Sequence, residues 1–471
     1  MRGLTSTLIL VVVLAGLGAY IYFVDSKRPA ASVDGESSTK EKVFDVDSGK
    51  INELRITTQG QTSLLKKEGD GWKLYEPAQI EADPPEAIGV ASALGNIEIV
   101  RVVDENASNL DQFGLANPAI TVEYKTDDGK SGKLRLGNKN ATQGEMYALK
   151  NDEKRVFLVS AYQETSFNRT PFDLRDKKIL KFDRDKADSL VLVKDKNSIE
   201  MTRSGSEWKV TKPVPSRSDY TAIEGFLTRL SSANMSKLVE ENPKDLSKYG
   251  LDKPTMTVTI GAGSAKTVLD IGKTENGDRY AKDASRPIVF TVDSTLATDL
   301  DKNFDDYRKK ELFDFRPFYL DKLRAVLDTP GGAKTYEFEK QKPAKPADPE
   351  TWKVTRVGGE SHVADQAAMD DLLNKLVAIK AETFVDAKTK TGLDKPALVV
   401  SASYDAGKFE RVRFGRVGDV AYGVRDGEAS VAKIDEGTMA AAMKAFDAVT
   451  IPKDEAPPAP KADAPKGEAK K

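Results

Sequence analysis

Apolar and polar residues alternate strictly after a proline at three places in the chain. The runs are Ile120, Val122 and Tyr124; Met256, Val258 and Ile260; and Leu398, Val400, Ala402 and Tyr404. A period of two buries one face of a strand and wets the other. Earlier alternating segments at 51–56, 190–193 and 323–327 are followed by turn residues, namely Gly60, Asn197-Ser198 and Gly331-Gly332. They predict an opening β-meander. Between meander and proline the period becomes helical, with Ile223, Phe226, Leu227 and Leu230, and again with Met369, Leu372, Leu373 and Leu376. A weaker stripe (Ile88, Ala91, Leu94, Ile97) carries Gly89 and Gly95. Asp83, Asp219 and Asp365 precede these helices as N-caps, and Pro84 and Glu86 complete a capping-box pattern in the first. Each Gly-Leu-x-x-Pro segment predicts a helical turn ended by a left-handed glycine, after which proline opens a strand. A second strand is expected to end at Gly137, Gly272 or Gly415, and Tyr147, Tyr280 and Tyr422 mark a return strand. Short strands at 156–159 and 288–290 are expected to close the sheet.

These elements are one frame met three times. From Trp72 to Gly114, Trp208 to Gly250 and Trp352 to Gly392 the spacing is 42, 42 and 40 residues. From those glycines to Gly137, Gly272 and Gly415 it is 23, 22 and 23. The chain's three tryptophans fall one to a frame, with a period of 136–144 residues, which fits tandem domains rather than a solenoid. The fold class predicted is α+β: three tandem copies of a mostly antiparallel sheet with a packed helix, at 43–183, 184–316 and 317–449. The first two end alike, at 172–180 and 306–312; the third lacks that ending and runs into a Pro/Ala/Lys-rich tail, 450–471, expected to be disordered. Residues 341–350 predict an extended loop inserted in the third copy.

Before the first copy, residues 4–24 are uncharged and apolar over 21 positions, enough for a helix across a bilayer of about 30 Å. The run continues past the small residues at 15–19 where a signal peptide would be cut, and this favours an uncleaved single-pass anchor within 1–24. The short N-terminal flank favours placing the bulk of the chain outside the membrane; Lys27 and Arg28 argue the other way. Residues 25–42 are polar and predict a flexible spacer.

Composition narrows the chemistry. Lys and Arg number 72 against 74 Asp and Glu, so no basic excess points to nucleic acid. The absence of cysteine removes disulfides, thiolate chemistry and a lipidated N-terminal cysteine. The one histidine, His362, reads as a surface loop residue and is too few for a multi-histidine metal site. The acidic run 301–306 lacks the glycine and terminal glutamate of a calcium loop and reads as a solvated helix end. Trp72, Trp208 and Trp352 would stack on sugars if exposed together, but one per domain beside a strand reads as core. Lys253 and Lys395, with Arg175 and Arg308, are either polar contacts between copies or solvated charges, and the second is preferred. No catalytic, cofactor-binding or metal-binding residue is assigned, and no cofactor is expected.

The frame of Trp, capped helix, Tyr249-Gly250-Leu251-Asp252-Lys253-Pro254, Ile271-Gly272 and the Leu174-Arg175-Asp176-Lys177 type of ending resembles the bacterial "domain of unknown function 4340" family over about residues 43–449. Ala116, Thr391 and the missing third ending depart from the pattern. The resemblance implies a membrane-anchored chain that repeats the unit, with members that look like companions of ABC-type export systems or gliding-motility-like complexes. It transfers no activity to any residue. The function expected is that of a non-enzymatic scaffold or accessory subunit in the inner membrane, with its bulk periplasmic. The alternative is a module that binds an envelope glycan or other polymer.

Overall fold

The computed structural model describes residues 41–450 apart from 344, 346–348 and 387. The apolar stretch 4–24, most of the 25–42 spacer and residues 451–471 of the tail lie outside the described residues. Among the described residues no helix is long and apolar enough to cross a membrane. Contacts divide the chain into two compact units that meet at Lys177 and Lys178. The first holds one nine-stranded sheet and the second holds two, all three with the same strand order.

In the first unit, β1 (Ile51–Thr58), β2 (Gln61–Glu68), β3 (Gly71–Glu76) and the short β4 (Ile80–Glu81) form the opening meander. Helix α1 (Pro84–Asn96) and strand β5 (Arg101–Asp104) follow. A second meander runs through β6 (Ile120–Thr126), β7 (Ser131–Lys139), β8 (Glu145–Lys150) and β9 (Val156–Ser160), before the short helices α2 (Gln163–Phe167) and α3 (Pro171–Leu174). The sheet order is β4-β3-β2-β1-β6-β7-β8-β9-β5, and every pairing is antiparallel. Strand β9 therefore does not close the sheet as expected: β5 pairs outside it. The pattern hid β5, because an edge strand with half-buried and exposed residues in turn buries no full apolar stripe.

The second unit repeats this order twice. Its first sheet comprises β10 (Ser189–Lys194), β11 (Asn197–Ser204), β12 (Glu207–Lys212) and β13 (Ser216–Arg217), then β14 (Lys237–Glu241) after helix α4 (Tyr220–Ser232). It continues with β15 (Met256–Ala262), β16 (Ala265–Glu275), β17 (Asp278–Asp283) and β18 (Ile288–Val292), and ends in helix α5 (Ser294–Leu300). The other sheet comprises β19 (Leu320–Leu327), β20 (Lys334–Gln341), β21 (Thr351–Arg356) and β22 (Ser361–Val363), with helix α6 (Gln366–Val377) and then β23 (Ala381–Val385). Strands β24 (Leu398–Tyr404), β25 (Lys408–Val417), β26 (Val420–Arg425) and β27 (Val431–Ile434) follow, and helix α7 (Glu436–Thr450) completes it.

One face of each sheet buries its alternating residues under the capped helix. Ile223, Phe226, Leu227 and Leu230 of α4, and Met369, Leu372, Leu373 and Leu376 of α6, are buried as their spacing predicts. In α1 Ala91, Leu94 and the following Ile97 are buried as expected, joined by Ala87, Val90 and Gly95, while Ile88 alone of the expected stripe is exposed. Asp219 and Asp365 accept the amides of Ala222 and Ala368 as N-caps. Asp83 sits at the cap of α1 without a side-chain bond, and Glu86 pairs with Arg169 at 3.2 Å instead of closing a capping box. The turn after β10 is Asp195-Lys196, not Asn197-Ser198, because Lys194 and Asn197 already pair. The opposite face over the first meander is wet. In the first sheet, Glu53 bridges Lys66 (3.3 Å) and Lys125 (2.8 Å); in the third, Lys322 pairs with Glu339 (2.7 Å). Exposed pairs of this kind are screened by solvent and add little to stability, so they keep the face soluble more than they hold it.

The Gly-Leu-x-x-Pro segments explain the spacing of the frame. They fold back onto the far face of the second meander, where Phe113 meets Tyr147 and Tyr249 meets Tyr280, each with ring centroids 4.9 Å apart. Phe113 and Leu115 pack with Leu149 and Val156, and Tyr249 and Leu251 with Tyr280 and Val289. Thr391 takes the aromatic position in the third sheet, so Tyr422 has no matching ring there. Gly114, Gly250 and Gly392 are left-handed at φ of 70, 66 and 71°, as expected of the residue that ends such a turn. The second glycine of each frame is where the turn lands: a β-carbon at Gly137, Gly272 or Gly415 would meet the carbonyl of Phe113, Tyr249 or Thr391 at 2.2–2.3 Å. These glycines do not end their strands, which run on to Lys139, Glu275 and Val417.

Candidate functional site

Within the second unit, residues 307–316 form the connector between the two sheets, and it is stitched to both. Arg308 bridges to Ser218 beyond β13, and Glu311 bridges to Lys380 ahead of β23. The Lys309 amide donates to the Arg217 carbonyl, and the Ala381 amide donates to the Lys310 carbonyl. Each bond fixes backbone that would otherwise be an unpaired sheet edge.

Charged side chains then cross the junction. Arg217, on β13, pairs with Asp314 at 2.7 Å and with Glu428 in the turn after β26, and donates to the Glu311 carbonyl at 2.7 Å. Asp314 also accepts from Lys309 at 2.5 Å and pairs with Arg425. Glu410, on β25, has a wholly buried side chain. It accepts the amides of Asp314 and Phe315 at 2.9 Å each and pairs with Arg425 at 2.8 Å. Burial pushes the Asp314 carboxyl up, but Lys309, Arg217 and Arg425 together leave it below its ordinary range. Burial likewise works against Arg425, and Asp314 and Glu410 more than restore it.

Arg308 makes a second crossing. It is 3% exposed, donates to Asp305 at 3.1 Å, and lies over the rings of Phe304 (4.8 Å) and Phe384 of β23 (3.2 Å). A guanidinium stacks well because it is planar and weakly hydrated. A contact between two of the sheets is thus present for Arg308, whereas Lys253 and Lys395 are exposed. Arg175, at the matching place in the first unit, is buried beside its bridge to Ala82.

Over this junction opens a cleft of about 690 Å³. Trp208, Arg217, Lys309 and Asp314 line it together with Tyr220 and Tyr319, which are 53% and 49% exposed. The tryptophans themselves offer no stacking face: Trp72, Trp208 and Trp352 are 3–4% exposed, and the Trp208 indole donates to Glu224 at 2.9 Å. His362 lies on β22 rather than in a loop, half-buried, with Nε2 3.3 Å from the Val449 carbonyl. The acidic run is spent locally: Asp301 pairs with Lys194, Asp305 with Arg308, and Asp306 closes a capping box with Asn303. Among the described residues no three acidic or histidine side chains gather as a metal site would need.

The junction charges carry no sequence signature, since Arg217 and Glu428 stand 211 residues apart. Only Arg308, in a repeated ending, could be singled out.

A family model described as "Domain of unknown function (DUF4340)" matches residues 72–221 and 208–396. The two matches open on Trp72 and Trp208, in step with the frame. No curated protein matches the chain. Among solved structures, a DNA polymerase sliding clamp from Pseudomonas aeruginosa is similar at 9% identity, covering 84% of this chain and 93% of the clamp; its TM-score of 0.14 carries no argument.

Proposed function

The chain belongs to the DUF4340 family, a family defined only as a domain of unknown function, and from its residues we propose that it is a non-enzymatic scaffold or accessory subunit of an envelope assembly. In this reading the three sheets are three copies of the family unit, residues 4–24 anchor the chain in the inner membrane, and the copies stand in the periplasm beside an ABC-type transporter or a gliding-like complex. The observation that carries it is the junction of the second and third sheets. Buried Glu410 is bonded to Arg425 and to two backbone amides, and the partly buried Arg217 and Asp314 pair across the junction, an arrangement that holds two domains in one orientation. A scaffold needs fixed geometry between its binding faces, and a partly buried network of ion pairs supports it, although Nε and one Nη of Arg308 stay buried without a hydrogen-bond partner.

The test is affinity purification of the full chain from detergent-solubilised membranes, beside an Arg217→Ala, Arg308→Ala variant. The proposal expects an integral membrane partner at fixed ratio with the wild type, and its loss with the variant although each domain stays folded. Recovery of the chain alone, or its appearance in the soluble fraction, would refute the proposal.

A further inference from the structure

The cleft over the junction has the makings of a ligand site that the scaffold reading does not use. Its volume of about 690 Å³ lies inside the range of small-ligand sites, roughly 300–1,000 Å³. Two half-exposed tyrosines come to it from different sheets: Tyr220 opens helix α4, and Tyr319 sits in the turn that leads into β19. The Tyr319 backbone is tied down by its carbonyl accepting the Asp405 amide, and Phe318 lies edge-on to its ring at 5.1 Å. Half-exposed aromatic rings are faces for flat or ring-shaped ligands.

The charges decide which ligand. Arg217 and Lys309 share Asp314, and Lys408 holds Asp405 at 3.1 Å. That leaves Lys209 and Arg316, both exposed lining residues outside the pairing network, facing the cleft's one remaining acid, Glu207. The balance favours an anion. The backbone decides between polymer classes. The edge of β13 is already taken, because the Arg217 carbonyl accepts from Lys309 and Ser218 bridges to Arg308. An extended peptide would find no ladder to join there, so recognition falls to side chains.

We propose that this cleft binds an acidic oligosaccharide, its sugar rings stacked on Tyr220 and Tyr319 and its carboxylates held by Lys209 and Arg316. The site is independent of the membrane partner, and its occupant is a polymer that tyrosines read in place of the buried tryptophans.

Calorimetric titration of the detergent-solubilised full chain tests it, with tetragalacturonate, maltotetraose and tetraglutamate as probes. Tetragalacturonate is expected to bind, about tenfold or more tighter than the other two. Its affinity should fall with added salt, and it should drop about tenfold in Tyr220→Ala and in Tyr319→Ala and similarly in the double variant Lys209→Ala, Arg316→Ala. These side chains are exposed, so unfolding curves matching the wild type would show that the fold is kept. Tetraglutamate binding as tightly as the sugar acid would overturn the proposal in favour of an acidic peptide. No binding, or binding that the tyrosine variants leave unchanged, would overturn it outright. Failure here leaves partner capture from membranes untouched, so the two readings are judged separately.

Discussion

Replacing Gly272 by alanine tests whether the paired glycines of the frame are a built contact. A β-carbon there would stand 2.2 Å from the Tyr249 carbonyl oxygen and 3.2 Å from that of Gly250. An ordinary contact needs more than an ångström beyond the first distance, and what it meets is backbone, which cannot swing aside. Relief requires lifting the turn off β16 and parting Tyr249 from Tyr280. Overpacking of this kind costs roughly 1–3 kcal/mol, and a backbone obstacle puts the expected loss near the top, at about 3 kcal/mol. Gly250→Ala meets the Lys273 amide at 3.1 Å and is strained mainly by its φ of 66°, for about 1–2 kcal/mol. Gly225 is the control: it lies on the exposed face of α4 with nothing within 4 Å of a new β-carbon, so alanine there should stabilise by roughly 0.5–1 kcal/mol. One substitution thus has opposite signs at two sites in one domain. Urea unfolding in a Trp72→Phe, Trp352→Phe background leaves Trp208 to report on the second sheet alone. With a slope near 2 kcal/mol per molar, Gly272→Ala should lower the midpoint by roughly 1.5 M. A midpoint equal to that of the wild type, or of Gly225→Ala, would refute the reasoning.

Removing Glu410, whose buried carboxylate holds two amides and Arg425, should cost about 3–5 kcal/mol in Glu410→Ala, read from Trp352 unfolding. Arg308→Lys keeps the charge but loses the planar stack on Phe384; a double-mutant cycle with Phe384→Leu should return a coupling of about 1–2 kcal/mol. Asp314 titrates below its unfolded value, so its stabilisation is complete above about pH 4 and is lost as pH falls through the lower folded value. Asp314→Asn should accordingly flatten the acid limb of the stability profile and leave a smaller difference from wild type in strong acid than at neutral pH.

What could be seen in the sequence depended on how much of a pattern each element shows by itself. Strands β6, β15 and β24 were plain because proline marks their start and alternate residues are fully buried. Strands β5, β14 and β23 were hidden because they are edges, with few buried positions. Helix α7 has Met439, Ala442, Phe446 and Val449 buried at helical spacing and Asp435 accepting the Thr438 amide, but alanine fills much of that stripe and leaves little apolar contrast to mark it. In α1 Ala91, Leu94 and Ile97 keep the expected stripe, but at its start Ala87 and Val90 face the core while the larger Ile88 faces out, so side-chain size is a poor guide at that one position. The Trp–Gly–Gly spacing, in contrast, records a three-dimensional contact directly. The junction could not be read, because Arg217, Asp314, Glu410, Arg425 and Glu428 become neighbours only once two sheets and a connector are assembled.

The claim on which the scaffold reading turns is where the three sheets stand relative to the membrane. Reporters fused after Val449 measure it: one enzyme active only in the periplasm, another active only in the cytosol. The account predicts activity from the first and silence from the second, with both fusions retained in washed membranes. Activity from the cytosolic reporter alone would contradict the topology and the extracytoplasmic scaffold with it, and release of the fused chain from washed membranes would contradict the anchor.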